Sequence, residues 1–202
     1  MDTDFSVSRV EAFSDGVFAI AITLLILEVR VPSGTADVGS ALLHIWPSYL
    51  AYVTSFLTIG VIWVNHHSVF TLLSRVDRSL IFINTVMLMV VAFIPFPTRL
   101  VAEFLREAHN ERDAALAYAL TFVLLAIVFE VWWRWITTGR RLVKPEVPQA
   151  TIDTITKSYN PGTAIYGGAA ALAFVAPLAS VAICLALAVF FAFPPAVVMR
   201  SR

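Results

Sequence analysis

Apolar residues run through this chain in long blocks separated by short polar stretches. Six blocks approach the roughly 20 residues that a helix needs to cross a bilayer: residues 10–29, 45–63, 80–101, 114–136, 160–177 and 179–198. The last two nearly touch at Leu178, so Pro177 is expected to turn the chain between two short antiparallel helices. The boundary residues agree with this division. Ser8-x-x-Glu11 has the form of a capping box, and Asn160-Pro161 reads as an N-cap followed by proline at the first helical position. Pro32, Pro95, Pro97, Pro194 and Pro195 fall near predicted helix ends. The expected fold class is an all-α integral membrane protein, with residues 1–202 forming a single six-helix transmembrane domain.

Composition points the same way. Hydrophobic residues make up 59% of the chain and charged residues 14%, against about 45–50% and about 25% in soluble domains. Residues Met1 to Ser8 carry Asp2 and Asp4 but no base, and no small-x-small site precedes Val31-Pro32-Ser33-Gly34. The first block therefore reads as a retained helix and not as a cleaved signal peptide. Formal net charge is zero, with 14 Lys and Arg against 14 Asp and Glu, and no basic run suggests a nucleic-acid partner. The one cysteine, Cys184, has no intrachain partner and reads as a small core residue.

Basic residues set the expected orientation. Six crossings from a cytoplasmic N-terminus put Arg9, Arg75, Arg78, Arg134, Arg140, Arg141, Lys144, Lys157, Arg200 and Arg202 inside. Arg30, Arg99, Arg106 and Arg112 fall outside, and the asymmetry satisfies the positive-inside rule with both termini cytoplasmic. Trp46, Trp63, Trp132, Trp133 and Trp135 lie near predicted helix ends and suit interfacial belts. The stretch from Gly139 to Pro148 reads as an inner basic loop touching anionic headgroups.

One feature conflicts with this apolar plan. Ser14 and Asp15 stand at the mouth of the first block, and an ionised aspartate costs about 2.5–3.5 kcal/mol at mid-membrane. The second block ends Trp63-Val64-Asn65-His66-His67-Ser68 at the same predicted level. Asp15 can therefore accept from an imidazole, the Asn65 amide or the Trp63 indole, while Arg9 is placed to pair with Asp15 or Glu130. His66 and His67 diverge by about 100° on a helix and cannot readily share one metal ion. No GxSxG, HExxH, P-loop or Rossmann pattern occurs, which argues against an enzyme.

On a helical wheel Phe13, Gly16, Thr23, Leu24 and Leu27 all fall within about 60° of Ile20. Ser14 and Asp15 fall about 120° and about 140° away. The polar anchor and the apolar stripe therefore face different neighbours. Gly167 and Gly168, next to three alanines, read as a site of close helix packing.

Arg9, Phe13, Ser14 and Asp15 spell RxxxFSD, and Trp63, Asn65, His66 and His67 match its usual companion cluster. Together they resemble the endolysosomal transmembrane potassium channel family, and one six-helix repeat per chain is similar to its bacterial members. The resemblance implies a homotetramer in a bacterial plasma membrane (the inner membrane), with helix one of each subunit lining a central pore. It gives Ile20 the narrowest hydrophobic ring, Leu24 and Leu27 the next layers outward, and Thr23 a polar position beside them. Arg9, Phe13, Ser14, Asp15, Trp63, Asn65, His66 and His67 become a structural signature network. The implied activity is a potassium-selective leak with permeant K+, no cofactor and no metal, using an apolar constriction instead of a carbonyl filter. Ile165-Tyr166-Gly167-Gly168 lacks the TVGYG pattern of such filters. Two other readings compete: a proton-coupled small-solute transporter, and a membrane scaffold acting through the charged loop from Arg99 to Asp113.

Overall fold

The computed structural model describes residues 6–30, 37–107 and 109–192. The leader acids Asp2 and Asp4, the turn at 31–34, Pro194, Pro195, residues 193–198 of the sixth predicted helix, Arg200 and Arg202 lie outside them. Within the described residues the chain is helical. In order it forms α1 (Val7–Leu24), running on into a 3-10 turn (Leu25–Glu28), then α2 (Val38–His44), α3 (Trp46–Phe70), α4 (Arg78–Phe93) and α5 (Pro95–Phe104). There follow α6 (Glu111–Thr137) with a 3-10 turn (Thr138–Arg140), α7 (Gln149–Tyr159), α8 (Pro161–Leu172) and α9 (Pro177–Ala192).

Among the described residues, four segments are long and apolar enough to cross a membrane: Val7–Glu28, Trp46–Phe70, Arg78–Phe104 and Glu111–Arg140. The fifth expected span is shorter than the sequence suggests. The 12 residues of α8 rise about 18 Å, short of a hydrocarbon core of about 30 Å. α9 is apolar over its 16 residues except at Ser180.

The helix ends depart from the expected signals. Ser6, not Ser8, caps α1, its hydroxyl accepting from the Arg9 amide at 3.2 Å, and Glu11 is left for another partner. Asn160 has helical angles (φ −49°, ψ −40°) and makes no side-chain cap. Pro161, which has no N–H to offer, separates α7 from α8. The turn between α8 and α9 occupies residues 173–176, and Pro177 opens α9 instead of making the turn.

The third span is two helices, not one. Pro95 cannot donate to Val91, so the Ile94 amide donates there at 3.1 Å, closing a tighter turn that ends α4. A chain of buried hydroxyls lies beside this break. Thr98 donates to the Ile94 carbonyl at 2.8 Å, so it accepts from Ser55 at 2.7 Å, and Ser55 in turn accepts from Tyr118 at 2.9 Å.

α6 is the central post, packing against α4, α5, α8 and α9, while α3 packs against α1, α5 and α9. α1 rests on α3 and α4 through Phe18 and Ala21, and its 3-10 turn packs on α3 and α5 with Leu25 buried. Trp132 and Trp133 lie wholly inside this core, so they do not form an interfacial belt. Trp132 stacks on His66, with ring centroids 5.2 Å apart, and Trp133 donates to Thr156 of α7 at 2.9 Å. Cys184 is buried in α9. Gly167 and Gly168 face open space where a side chain would point. Close packing falls instead to Ala169, Ala170 and Ala173, with Ser180 of α9 donating to the Ala169 carbonyl at 2.7 Å.

At the end of the bundle where α1 begins, the α3–α4 and α6–α7 loops zip together. Ser74 donates to the Leu142 carbonyl and Lys144 to the Leu72 carbonyl, each at 2.9 Å, forming an antiparallel bridge between Leu73 and Val143. At the opposite end α1 is tied to α5. Arg30 pairs with Glu103 at 2.6 Å, and Arg99 pairs with Glu103 at 3.1 Å and reaches Glu28 at 4.0 Å.

Candidate functional site: the two faces of the first helix

Glu11 and Asp15 are one turn apart on α1, and Trp63 and His67 are one turn apart on α3. Residues spaced by four share a helix face, so two antiparallel helices bring these pairs together in crossed order. Trp63 Nε1 donates to Asp15 Oδ1 at 2.8 Å. His67 Nδ1 meets Glu11 Oε1 at 2.8 Å, and the Trp63 and His67 rings stack 6.4 Å apart. Of the donors considered for Asp15, the structure uses the Trp63 indole. α3 runs on to Phe70, seven residues beyond its expected end, so the whole Trp63–His67 cluster lies inside a helix and radiates to several neighbours.

Asn65 therefore points elsewhere. Its amide donates to the Val61 carbonyl at 3.0 Å, and its oxygen accepts from Tyr159 of α7 at 3.5 Å. Arg9 makes no ion pair among the described residues; of its two expected partners, Glu130 pairs with Arg134 one turn along α6 and Asp15 accepts from Trp63.

A second polar chain runs inward from Ser14, which is fully buried. Its hydroxyl donates to the Val10 carbonyl at 2.8 Å and accepts from Asn84 Nδ2 at 2.9 Å. Asn84 Oδ1 meets His66 Nε2 at 3.0 Å, which places the imidazole proton on Nε2. Phe70, Trp132 and Phe18 surround the His66 ring at centroid distances of 4.4, 5.2 and 5.3 Å. His66 and His67 thus go to different helices. Asn84 and Glu11 escaped the sequence reading. An amide inside the apolar block 80–101, about one turn from its start, was the available signal for Asn84, since buried polar groups in membrane helices find partners; Glu11 was masked by its resemblance to a capping-box acid.

The opposite face of α1 has no partner among the described residues. Ile20 is 62% exposed, Leu24 42% and Leu27 70%, while Phe18, Ala21 and Leu25 behind them are buried. Phe13 and Gly16 share the exposed face, so Phe13 stands apart from Ser14 and Asp15. Leu27 lies in the 3-10 turn, where residues three apart eclipse, and this keeps it in line with Leu24. Thr23, also exposed, donates its hydroxyl proton to the Ile20 carbonyl at 2.9 Å, leaving lone pairs directed away from the helix. Among the described residues no group of three or more His, Cys, Asp or Glu side chains is placed to hold a metal ion.

Residues 9–95 match the family model described as "Endosomal/lysosomal potassium channel TMEM175". A potassium channel from Chamaesiphon minutus is 47% identical over 188 residues, covering 91% of this chain and 92% of that one. A potassium channel from Streptomyces collinus is 49% identical over 174 residues, covering 84% of each. The fold superposes on the crystal structure of a lysosomal potassium-selective channel TMEM175 homologue from Chamaesiphon minutus, with a TM-score of 0.84 at 46% identity. That match covers 92% of this chain and 96% of the other.

Proposed function

The chain belongs to the endosomal/lysosomal potassium channel TMEM175 family, and from that premise we propose that it is a potassium-selective, leak-type channel of a bacterial inner membrane. The observation that carries the mechanism is the division of α1 into two faces: a polar one bound to α3 and α4, and an apolar one with no partner among the described residues. Four copies arranged with the unpartnered faces inward would line a central path with rings of Ile20, Leu24 and Leu27. In this reading each subunit contributes six crossings, α8 and α9 forming the last pair, and both termini face the cytoplasm.

The rings act as a constriction without carbonyl ligands. A cation passing Ile20 sheds part of its water shell, and potassium yields water more readily than the smaller, more tightly hydrated sodium. Apolar constrictions also gate by dewetting. Thr23 supports selection for cations, because a hydroxyl whose proton is held by the Ile20 carbonyl presents only lone pairs to a partly dehydrated ion. Ser14, Asp15, Trp63, His66 and His67 would orient α1; Asn65 turns to α7, Phe13 lies on the exposed face, and none of these, nor Arg9, is assigned contact with the ion.

The test is cation flux from purified protein in liposomes under matched potassium and sodium gradients. Potassium flux exceeding sodium flux, with rubidium and caesium also permeant, is expected. Protein that moves no monovalent cation would overturn the proposal. Saturable uptake driven by a pH gradient would favour a proton-coupled transporter, and silence in both assays a scaffold.

A further inference from the structure

Beyond the pore, the bridged loops at the start-of-α1 end gather charge. Residues 71–78 and 138–148 hold five bases, Arg75, Arg78, Arg140, Arg141 and Lys144, against two acids, Asp77 and Glu146. None of the five bases forms an ion pair among the described residues. Two of them are tied down as structural donors: Lys144 to the Thr71 carbonyl, and Arg140 to Gln149 and the Val147 carbonyl. The other three keep free guanidinium N–H groups on an exposed surface. Arg75 commits only Nε, to the Arg141 carbonyl at 3.0 Å, and Arg78 commits nothing. Arg141 lies over the Trp135 ring, 5.6 Å from its centroid, a contact through the π face that consumes no N–H. The indole beneath it is pinned by Asp77, at 3.1 Å to Oδ1.

The backbone is bent to hold this arrangement. Gly139 and Arg140 are consecutive left-handed residues, with φ of 61° and 55°. The conformation is costly for a non-glycine residue, and such strain gathers at functional sites.

Below the cluster lies an apolar track. Leu120, Leu124, Ile127 and Val131 of α6 are exposed and follow the spacing that keeps them on one helix face. Four residues beyond Val131, the same face reaches Trp135. The surface thus has the shape of an amphiphile: an apolar strip roughly three turns long ending at forked cationic donors. Guanidinium forks match phosphate oxygens bidentately, and the apolar track excludes a free anion, an acidic peptide or a nucleic acid as the best fit.

We infer that this surface binds one anionic phospholipid, its phosphodiester headgroup held by Arg75, Arg78 and Arg141 and an acyl chain lying along α6. The inference rests on the membrane placement argued above and not on ion conduction, and it is read by binding alone, so its failure is distinct from failure of the channel reading. The experiment is thermal unfolding of the detergent-purified full chain, titrated with phosphatidylglycerol, phosphatidylcholine, glycerol phosphate or inorganic phosphate. Phosphatidylglycerol should raise the midpoint saturably, and the other three should not. R78Q and R141Q should each weaken the apparent affinity about fivefold, as loss of one juxtamembrane charge implies, whereas R112Q at the opposite end should leave it unchanged. For wild type, raising salt tenfold should weaken the phosphatidylglycerol effect, a check that needs no variant to fold. Equal shifts with phosphatidylcholine, the same shift with glycerol phosphate or inorganic phosphate, or wild-type affinity in both R78Q and R141Q would each overturn it.

Discussion

Trp63 donates its indole N–H to Asp15 across 2.8 Å, tying α3 to α1 on the side of α1 opposite Ile20. Together with the Glu11–His67 contact one turn away, it sets the rotation of α1 about its own axis. The carboxylate that seemed out of place in an apolar helix therefore determines which apolar residues are left facing outward.

Trp63→Phe keeps the ring and deletes the donor. Stability of the detergent-solubilised protein should fall by about 1 kcal/mol, the scale of one partly exposed hydrogen bond, seen as a lower thermal midpoint. Asp15→Ala, which also removes the charge, should lower the yield of the proposed tetramer on size-exclusion chromatography. The potassium-to-sodium permeability ratio should hold in W63F, because the Glu11–His67 and Ser14–Asn84 contacts still hold the rotation of α1.

Ile20→Asn places an amide in the proposed constriction. Conductance should rise and the potassium-to-sodium ratio should fall, because the ring is wetted and dehydration is no longer required. Reversal potentials under bi-ionic conditions measure this, and an unchanged ratio would count against the assignment of Ile20.

Asn84→Leu strands one buried group, His66 Nε2, and takes a donor from the Ser14 hydroxyl, which keeps its bond to the Val10 carbonyl. At about 1–3 kcal/mol per unsatisfied group, a loss of about 2 kcal/mol is expected. Adding His66→Phe removes the stranded donor and keeps an aromatic ring against Trp132, so the double variant should lose less than the sum of the two single losses. A thermodynamic cycle from unfolding measurements should give a coupling of about 1 kcal/mol or more.

The hydroxyl chain beside the helix break has a direction, from Tyr118 to Ser55 to Thr98 to the Ile94 carbonyl. Tyr118→Phe removes only the outermost donor and should cost about 1 kcal/mol. Ser55→Ala breaks two buried bonds at once, the one from Tyr118 and the one to Thr98, and should cost about 2 kcal/mol. Thermal midpoints should rank the variants in that order.

Much of this architecture was readable from residue order alone, because hydropathy acts over whole helices. The first, second and fourth spans follow their apolar blocks, and the wheel separated Asp15 from Ile20 before any neighbour was known. Features decided by a single backbone amide were harder to read. Pro95 breaks the third span although the apolar run continues through it, since hydropathy does not register a missing N–H. α7 lay outside every apolar block because only one of its faces packs, through residues such as Ile152. Trp132 and Trp133 have the composition of an interfacial belt but face the core, and only the partners His66 and Thr156 reveal it. Pairings such as Glu11 with His67 depend on the rotation of two helices at once, which neither sequence segment encodes by itself.

α1 is fastened by polar contacts near its two ends, through Glu11 and Asp15 at one and through Glu28 and Arg30 at the other. Between them, Phe18 and Ala21 hold it by apolar contact alone. A rod clamped at both ends bows most at its midpoint, and the midpoint here is close to Ile20. The narrowest ring proposed for the path therefore sits where a small sideways flexing of the helix changes the aperture most while leaving the anchors at rest.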